Sequence, residues 1–261
     1  MKLHIDIHPG NGPYLLMVHG FLSSREQFTP NLEALGEVCR PVTLELWGHG
    51  RSPVPDDTAR FHPEAYIEAF EQIRINLGVE TWLLCGQSLG AALTLRYALD
   101  HPDRIAAQVF TNSLSAFGDA AWVESVRERA SASGDAIRKG GRAAFEDLPF
   151  HPKNAKRLRP DIRDALISEI DLVDPEGVAR TSEFTVPETP VRDRVHENTV
   201  PTLMVCGVWE KRILPLRDFA QENMAHFNVV NIEAGHAVNL EAHDQFDTVV
   251  VDFIRQHTGS R

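Results

Sequence analysis

The 261-residue sequence predicts an α/β protein, and three observations predict it. Short continuous apolar runs alternate with stretches in which apolar residues recur at helical spacing. One run, Trp82-Leu83-Leu84-Cys85, enters the turn Gly86-Gln87-Ser88-Leu89-Gly90 and then a helix-forming stretch to about Asp100. Between about residues 117 and 196 the alternation stops.

The elements follow in order. Residues 3–7 read as a short edge strand, and Pro9-Gly10-Asn11-Gly12-Pro13 as a turn. Tyr14–Val18 is a continuous apolar run, long enough for one buried parallel strand, and it ends in His19-Gly20-Phe21. Phe28, Leu32 and Leu35 mark a first helix. Residues 41–46 form the next strand, ending in Trp47-Gly48-His49-Gly50-Arg51-Ser52. Tyr66, Ile67, Phe70, Ile73 and Leu77 define the buried face of a second helix. After the Ser88 turn and its helix, Ile105–Thr111 is a strand ending at Asn112. Thr202–Gly207 is a strand followed by Glu210, and residues 228–232 are a strand leading into Gly235-His236. Phe246, Val249, Val250, Phe253 and Ile254 lie on a last amphipathic helix. The intervening region offers only short helical pieces, at 120–132 and 161–170, broken by Gly and Pro. There are no internal repeats.

Charge and cysteine usage exclude several function classes. With 26 Lys and Arg against 37 Asp and Glu, the formal charge is −11, which argues against nucleic-acid partners and anionic membranes. No apolar stretch approaches a membrane span, and the first residues lack a basic segment followed by an apolar one. Cys39, Cys85 and Cys206 are scattered, odd in number and without C-x-x-C spacing, so neither a disulfide framework nor a zinc site is expected. A reducing cytoplasm is the simplest expected location. No phosphate-cradling glycine motif or H-E-x-x-H is present, so the expected cofactor and metal content is none. The expected partner is a small molecule, and oligomeric state stays open.

A serine at a strand-to-helix turn has an exposed hydroxyl and a strained backbone. Glycines two positions to either side let strand and helix cross closely. Helix N-termini also favour developing negative charge. The pentapeptide alone is a weak signal, but its strand-turn-helix setting and the other landmarks strengthen it. The order His19-Gly20-Phe21, Gly48-His49-Gly50-Arg51-Ser52, Gly86-Gln87-Ser88-Leu89-Gly90, a glycine-to-acid turn at Glu210 and Gly235-His236 resembles the α/β-hydrolase superfamily over nearly the whole chain. The resemblance implies a mostly parallel central sheet flanked by helices, with a core of residues 1–116 and 197–261 and a helical cap at 117–196. It implies a triad in the order Ser88, Glu210, His236. It also implies an oxyanion hole from the backbone N–H groups of Phe21 and Leu89.

The residue types match the chemistry. A serine hydroxyl is a poor nucleophile at neutral pH and needs a base. Histidine titrates in the right range, and a carboxylate on its other nitrogen fixes the tautomer. His19 and His49 read as structural groups that bind loop backbone, while His62, His101 and His151 precede prolines in loops. Asp119 is the alternative acid, because some relatives take theirs from the end of the preceding strand, where this chain has neutral Asn112.

The leading functional expectation is a serine hydrolase acting on a carboxylic ester, lactone or thioester. Phe110-Thr111-Asn112-Ser113 followed by the cap is similar to the enol-lactone hydrolases of aromatic degradation. The same triad could instead serve C–C bond hydrolysis, acyl transfer or perhydrolysis, and a slow or non-catalytic receptor is a third class. Ser88 at the elbow argues against the epoxide hydrolases and dehalogenases, whose elbow carries aspartate. In the cap, Arg138, Lys139, Arg142, Lys153, Lys156, Arg157, Arg159 and Arg163 invert the overall acidity. They read as an anionic-substrate site or as a solvated face paired with Glu146, Asp147 and Asp161.

Overall fold

The computed structural model describes residues 1–258. Seven strands form one sheet: β1 (His4–Ile7), β2 (Tyr14–Val18), β3 (Arg40–Glu45), β4 (Trp82–Gly86), β5 (Ile105–Thr111), β6 (Thr202–Gly207) and β7 (Phe227–Ile232). Their order is β1-β3-β2-β4-β5-β6-β7. All pairs are parallel except β1 with β3, where His4 lies opposite Glu45 and Ile7 opposite Val42. The N-terminal strand therefore closes an edge and forms no hairpin with β2.

The strand side chains alternate between two cores, as the two-residue period of a strand demands. Leu15 and Met17 pack with Leu83, Cys85, Val109 and Phe246 on one face. Leu16 and Val18 pack with Trp82, Leu84, Phe70 and Tyr97 on the other. Both faces of the sheet are covered at its centre, which is why β2 and β4 are continuous apolar runs.

The helices are α1 (Leu32–Gly36), α2 (Pro63–Asn76), α3 (Leu89–Asp100), α4 (Leu114–Phe117), α5 (Ala120–Gly140), α6 (Pro160–Ile170), α7 (Pro175–Arg180), α8 (Leu214–Asn223), α9 (Val238–Glu241) and α10 (His243–Thr258). Helix α2 buries Tyr66, Ile67, Phe70 and Ile73, the stripe its spacing predicts. Three boundaries differ from expectation. The first helix opens as a 3₁₀ segment, Arg25–Asn31, capped by the Ser24 hydroxyl. The last helix breaks at Ala242 into α9 and α10. Helix α5 runs eight residues beyond 132, because buried Ala130, Gly134 and Ile137 share one face across a polar, small-residue stretch.

No strand occurs between β5 and β6. That segment has its own small core, in which Ile137, Phe145, Ile170, Val173 and Val178 pack around Leu22. The backbone N–H of Asp174 donates to Gly48 O at 2.9 Å, and Arg51 bridges Glu45 at the end of β3 to Glu169 on α6. Cys39, Cys85 and Cys206 are free and buried. Among the described residues, no helix is long and apolar enough to cross a membrane.

Candidate active site

Ser88 lies between β4 and α3 with φ 52° and ψ −113°. A non-glycine residue in the left-handed region costs roughly 1–3 kcal/mol and persists only where its surroundings enforce it. Here they do. The Gln87 N–H donates to Val18 O at 3.0 Å, the Gly90 N–H to Gln87 O at 2.8 Å, and the Ser113 hydroxyl to Ser88 O at 2.7 Å. A Cβ on Gly90 would overlap the Val18 carbonyl, and one on Gly86 would overlap Ala91 and Thr94. The glycine spacing is thus a packing requirement of strand and helix crossing.

The loop after β2 packs on this turn. A Cβ added to Gly20 would sit 3.2 Å from Ser88 Cβ. His19, fully buried, accepts from the Leu46 N–H at Nε2 (3.1 Å), so Nδ1 carries the proton and donates to Gly20 O at 2.7 Å. Burial, with the His49 ring nearby and against the Gly20 bond, lowers the His19 pKa to about 3, so the ring stays neutral. His49 also binds loop backbone, through Trp47 O at 3.0 Å. Among the described residues, the N–H groups of Phe21 and Leu89 enter no turn or loop hydrogen bond.

Glu210 and His236 come together from the ends of β6 and β7. Glu210 Oε2 lies 2.8 Å from His236 Nδ1. The His236 side chain is 44% exposed and that of Glu210 14%, so the imidazole faces solvent while its partner is shielded. Burial pushes the Glu210 pKa up. The hydrogen bond and charge of His236, the Asn112 amide and Arg212 together outweigh that, and the carboxyl ends below its ordinary value. The elbow reaches the same loop, since Gln87 Nε2 is 3.5 Å from His236 O. Among the described residues, no hydrogen bond joins His236 to the Ser88 hydroxyl.

Asn112 is the residue that sequence reasoning undervalued. Fully buried at the end of β5, it donates from Nδ2 to Glu210 Oε2 (3.0 Å) and Gly207 O (2.9 Å), and its Oδ1 accepts from the Gly207 N–H (2.9 Å). It braces the turn and points a donor at the carboxylate. The parallel pairing of β5 and β6, Thr111 beside Val205, brings it there. The one signal in the sequence was a polar residue at a strand end. The alternative acid, Asp119, is exposed and caps α5 by accepting from the Trp122 N–H at 2.8 Å.

Half of the basic cluster between β5 and β6 is paired. Arg138 binds Glu176 and Glu183, Lys153 binds Glu146, Arg159 binds Asp161, and Arg163 lies 3.5 Å from Asp164. His62, Glu64 and Glu188 gather ligand-type atoms within 4.8 Å. They already form an ion-pair network, with His62 on Glu188 at 2.6 Å and Arg96 on Glu64.

A strand-turn-helix serine in the middle of a parallel sheet, with a carboxylate and an imidazole from the two following strand ends, defines the α/β hydrolases. The chain belongs to that family: its model, described as alpha/beta hydrolase fold, matches residues 13–242. A Bacillus subtilis protein provisionally named 2-succinyl-6-hydroxy-2,4-cyclohexadiene-1-carboxylate synthase is 26% identical over 259 residues, covering 95% of this chain and 93% of that one. Staphylococcus aureus MenH superimposes with a TM-score of 0.88 at 19% identity, covering 97% of this chain and 98% of its own. The enol-lactonase from Burkholderia xenovorans does so with a TM-score of 0.80 at 23% identity, covering 97% and 96%. At these identities the two structures speak to the fold.

Proposed function

We propose that the chain is a serine hydrolase that cleaves a carboxylic ester, lactone or thioester through an acyl-enzyme on Ser88. The observation that carries the reading is the Glu210–His236 pair at 2.8 Å, braced by Asn112 and set beside the strained Ser88 turn. With Nδ1 held by the carboxylate, His236 Nε2 is left as the base. The Ser88 hydroxyl attacks the substrate carbonyl carbon and gives its proton to Nε2. The carbonyl oxygen takes up the negative charge, and the N–H groups of Phe21 and Leu89 stabilise it. Collapse expels the leaving group, which takes the proton back from His236. Water then attacks the acyl-enzyme by the same route and frees the acid. Buried His19 has its protonation and orientation fixed, so its part is to hold the Gly20–Phe21 loop.

In this reading residues 117–196 act as a cap over the site, and the core carries the chemistry. The test is a panel of p-nitrophenyl esters, enol-lactones and acyl thioesters given to the purified protein. Turnover of at least one class, lost in Ser88→Ala, is expected; no turnover of any class counts against the reading. The relative named a synthase favours a second one, in which the same three residues drive a reaction other than ester hydrolysis, such as C–C cleavage or acyl transfer. Adding an acceptor alcohol or amine to the ester assay separates transfer from hydrolysis by the product formed.

A further inference from the structure

Arg157 stands apart from the rest of the basic cluster. Lys153, Arg159 and Arg163 are held by carboxylates on their own segment, whereas Arg157, like Lys156 beside it, forms no ion pair among the described residues. It reaches across to the β6 and β7 loops. Its guanidinium carbon lies 5.3 Å from the ring centroid of Trp209, the residue before Glu210. Its Nη1 is 3.1 Å from where a Cβ on Gly235, the residue before His236, would be. The Trp209 N–H donates to Ala234 O at 2.9 Å, so the two loops and the arginine meet at one place. Glu241, the carboxylate nearby, is engaged by the Gly235 N–H at 2.8 Å.

A guanidinium in cation–π contact with an indole keeps its N–H donors free for an acceptor. Trp209 remains 46% exposed, so the pair is open to a ligand. Against the loop after β2, the Phe150 ring meets Phe21 edge-on at 5.5 Å and is itself 58% exposed. The two surfaces offer apolar area and, in Arg157, a cation with no ion pair among the described residues, in a chain with formal charge −11.

We propose that Arg157, in cation–π contact with Trp209, recognises a carboxylate carried by the substrate, making the preferred substrate an ester, lactone or thioester with a second, ionised carboxyl group. One guanidinium matches one carboxylate in a bidentate pair. A phosphate dianion would bring a second negative charge towards Glu210 and Glu241. This inference rests on the hydrolase reading of Ser88 and His236.

The test compares mono-p-nitrophenyl adipate with its neutral isostere, in which an isopropyl group replaces the carboxylate. The wild-type chain is expected to prefer the charged ester. Arg157→Gln lowers that preference ratio by about tenfold, mainly through KM, since a hydrogen bond to a charged group is worth about 1.5–3 kcal/mol and 1.4 kcal/mol is tenfold. Arg163→Gln, which removes a half-buried cation already paired with Asp164, leaves the ratio unchanged. Raised salt lowers the wild-type ratio towards that of Arg157→Gln. Equal use of both esters by the wild type, or a preference that survives Arg157→Gln, overturns the inference while leaving the hydrolase reading intact. If neither ester is cleaved, the hydrolase reading fails for these substrates, and calorimetry with adipate decides the anion site alone. Binding that Arg157→Gln abolishes supports it, and no binding overturns it.

Discussion

The strand ends that hold Ser88, Glu210 and His236 and the helical segment between β5 and β6 are built by opposite means. At the strand ends, buried polar groups with several partners each set the geometry: Asn112 makes three hydrogen bonds and His19 two. Such satisfied buried networks are rigid, because any alternative leaves a donor or acceptor unpaired. The inserted segment has a small apolar core and an outer layer of half-exposed ion pairs, with 3₁₀ turns and one π turn at Thr181–Thr185. Exposed pairs are individually worth ~0–1 kcal/mol, so sequence there can drift without loss of fold. The difference puts the rigid geometry at the strand ends, and under the proposed reading it leaves selection to the insert.

The largest expected effect lies at the strand ends. Ser88→Ala should lower ester turnover roughly a million-fold without unfolding the chain, as removal of a triad nucleophile does elsewhere. Initial rates with an activated ester, together with circular dichroism, check this. Retention of more than about a hundredth of the activity is more than oxyanion stabilisation alone supplies.

Glu210→Gln should lower turnover by roughly three to four orders of magnitude, because the imidazole loses its anionic partner. Adding Asn112→Asp to that variant puts a carboxylate where the Asn112 amide now meets Glu210. It should restore at least about tenfold of the lost rate. No recovery would mean that Asn112 braces the turn but does not stand within functional reach of His236.

Asp247, on α10, contrasts with this satisfied network. Burial, opposed by a 2.8 Å hydrogen bond from Asn31, raises its pKa to about 6. The sign follows from proton uptake: between its unfolded value and about 6 the folded state binds more protons, so stability falls as pH rises through that window. Asp247→Asn should therefore raise unfolding free energy by about 2 kcal/mol at neutral pH and give little gain below about pH 4. Urea titrations across pH measure it. An equal effect at both pH values would assign the change to packing instead.

The smallest effect is expected in the insert. Arg138 joins α5 to Glu176 and Glu183 at 2.7 Å each, yet it is a third exposed. Arg138→Gln should cost no more than about 1 kcal/mol and should leave the ranking of esters unchanged. A loss several times larger would show that the insert shares the rigidity of the strand ends.

The same contrast governs what was legible in the sequence. The β2, β4 and β5 runs are buried on both faces, so each is a continuous apolar segment bounded by turns, and their positions could be read directly. Ser88 follows such a run at a glycine, while His236 follows Gly235 after the partly exposed strand β7. Glu210 could be placed after β6, but its bond to His236 depends on loop geometry that no residue pattern encodes. Asn112 and Ser113 act through contacts set by strand register, so their roles emerge only in three dimensions. In the insert, α5 was read too short because Ser131 to Gly134 carry little apolar signal. The partners of its Arg138, Glu176 and Glu183, are about forty residues away in sequence.

The central claim is that Ser88 becomes covalently acylated with His236 and Glu210 behind it. Its most direct test is mass spectrometry of the chain quenched during turnover of an activated ester, or after treatment with a fluorophosphonate. The expected result is one added group per chain, on the peptide containing Ser88, absent from Ser88→Ala and formed far more slowly in Glu210→Gln. Turnover with no adduct at any time, or an adduct on another residue, would contradict the account.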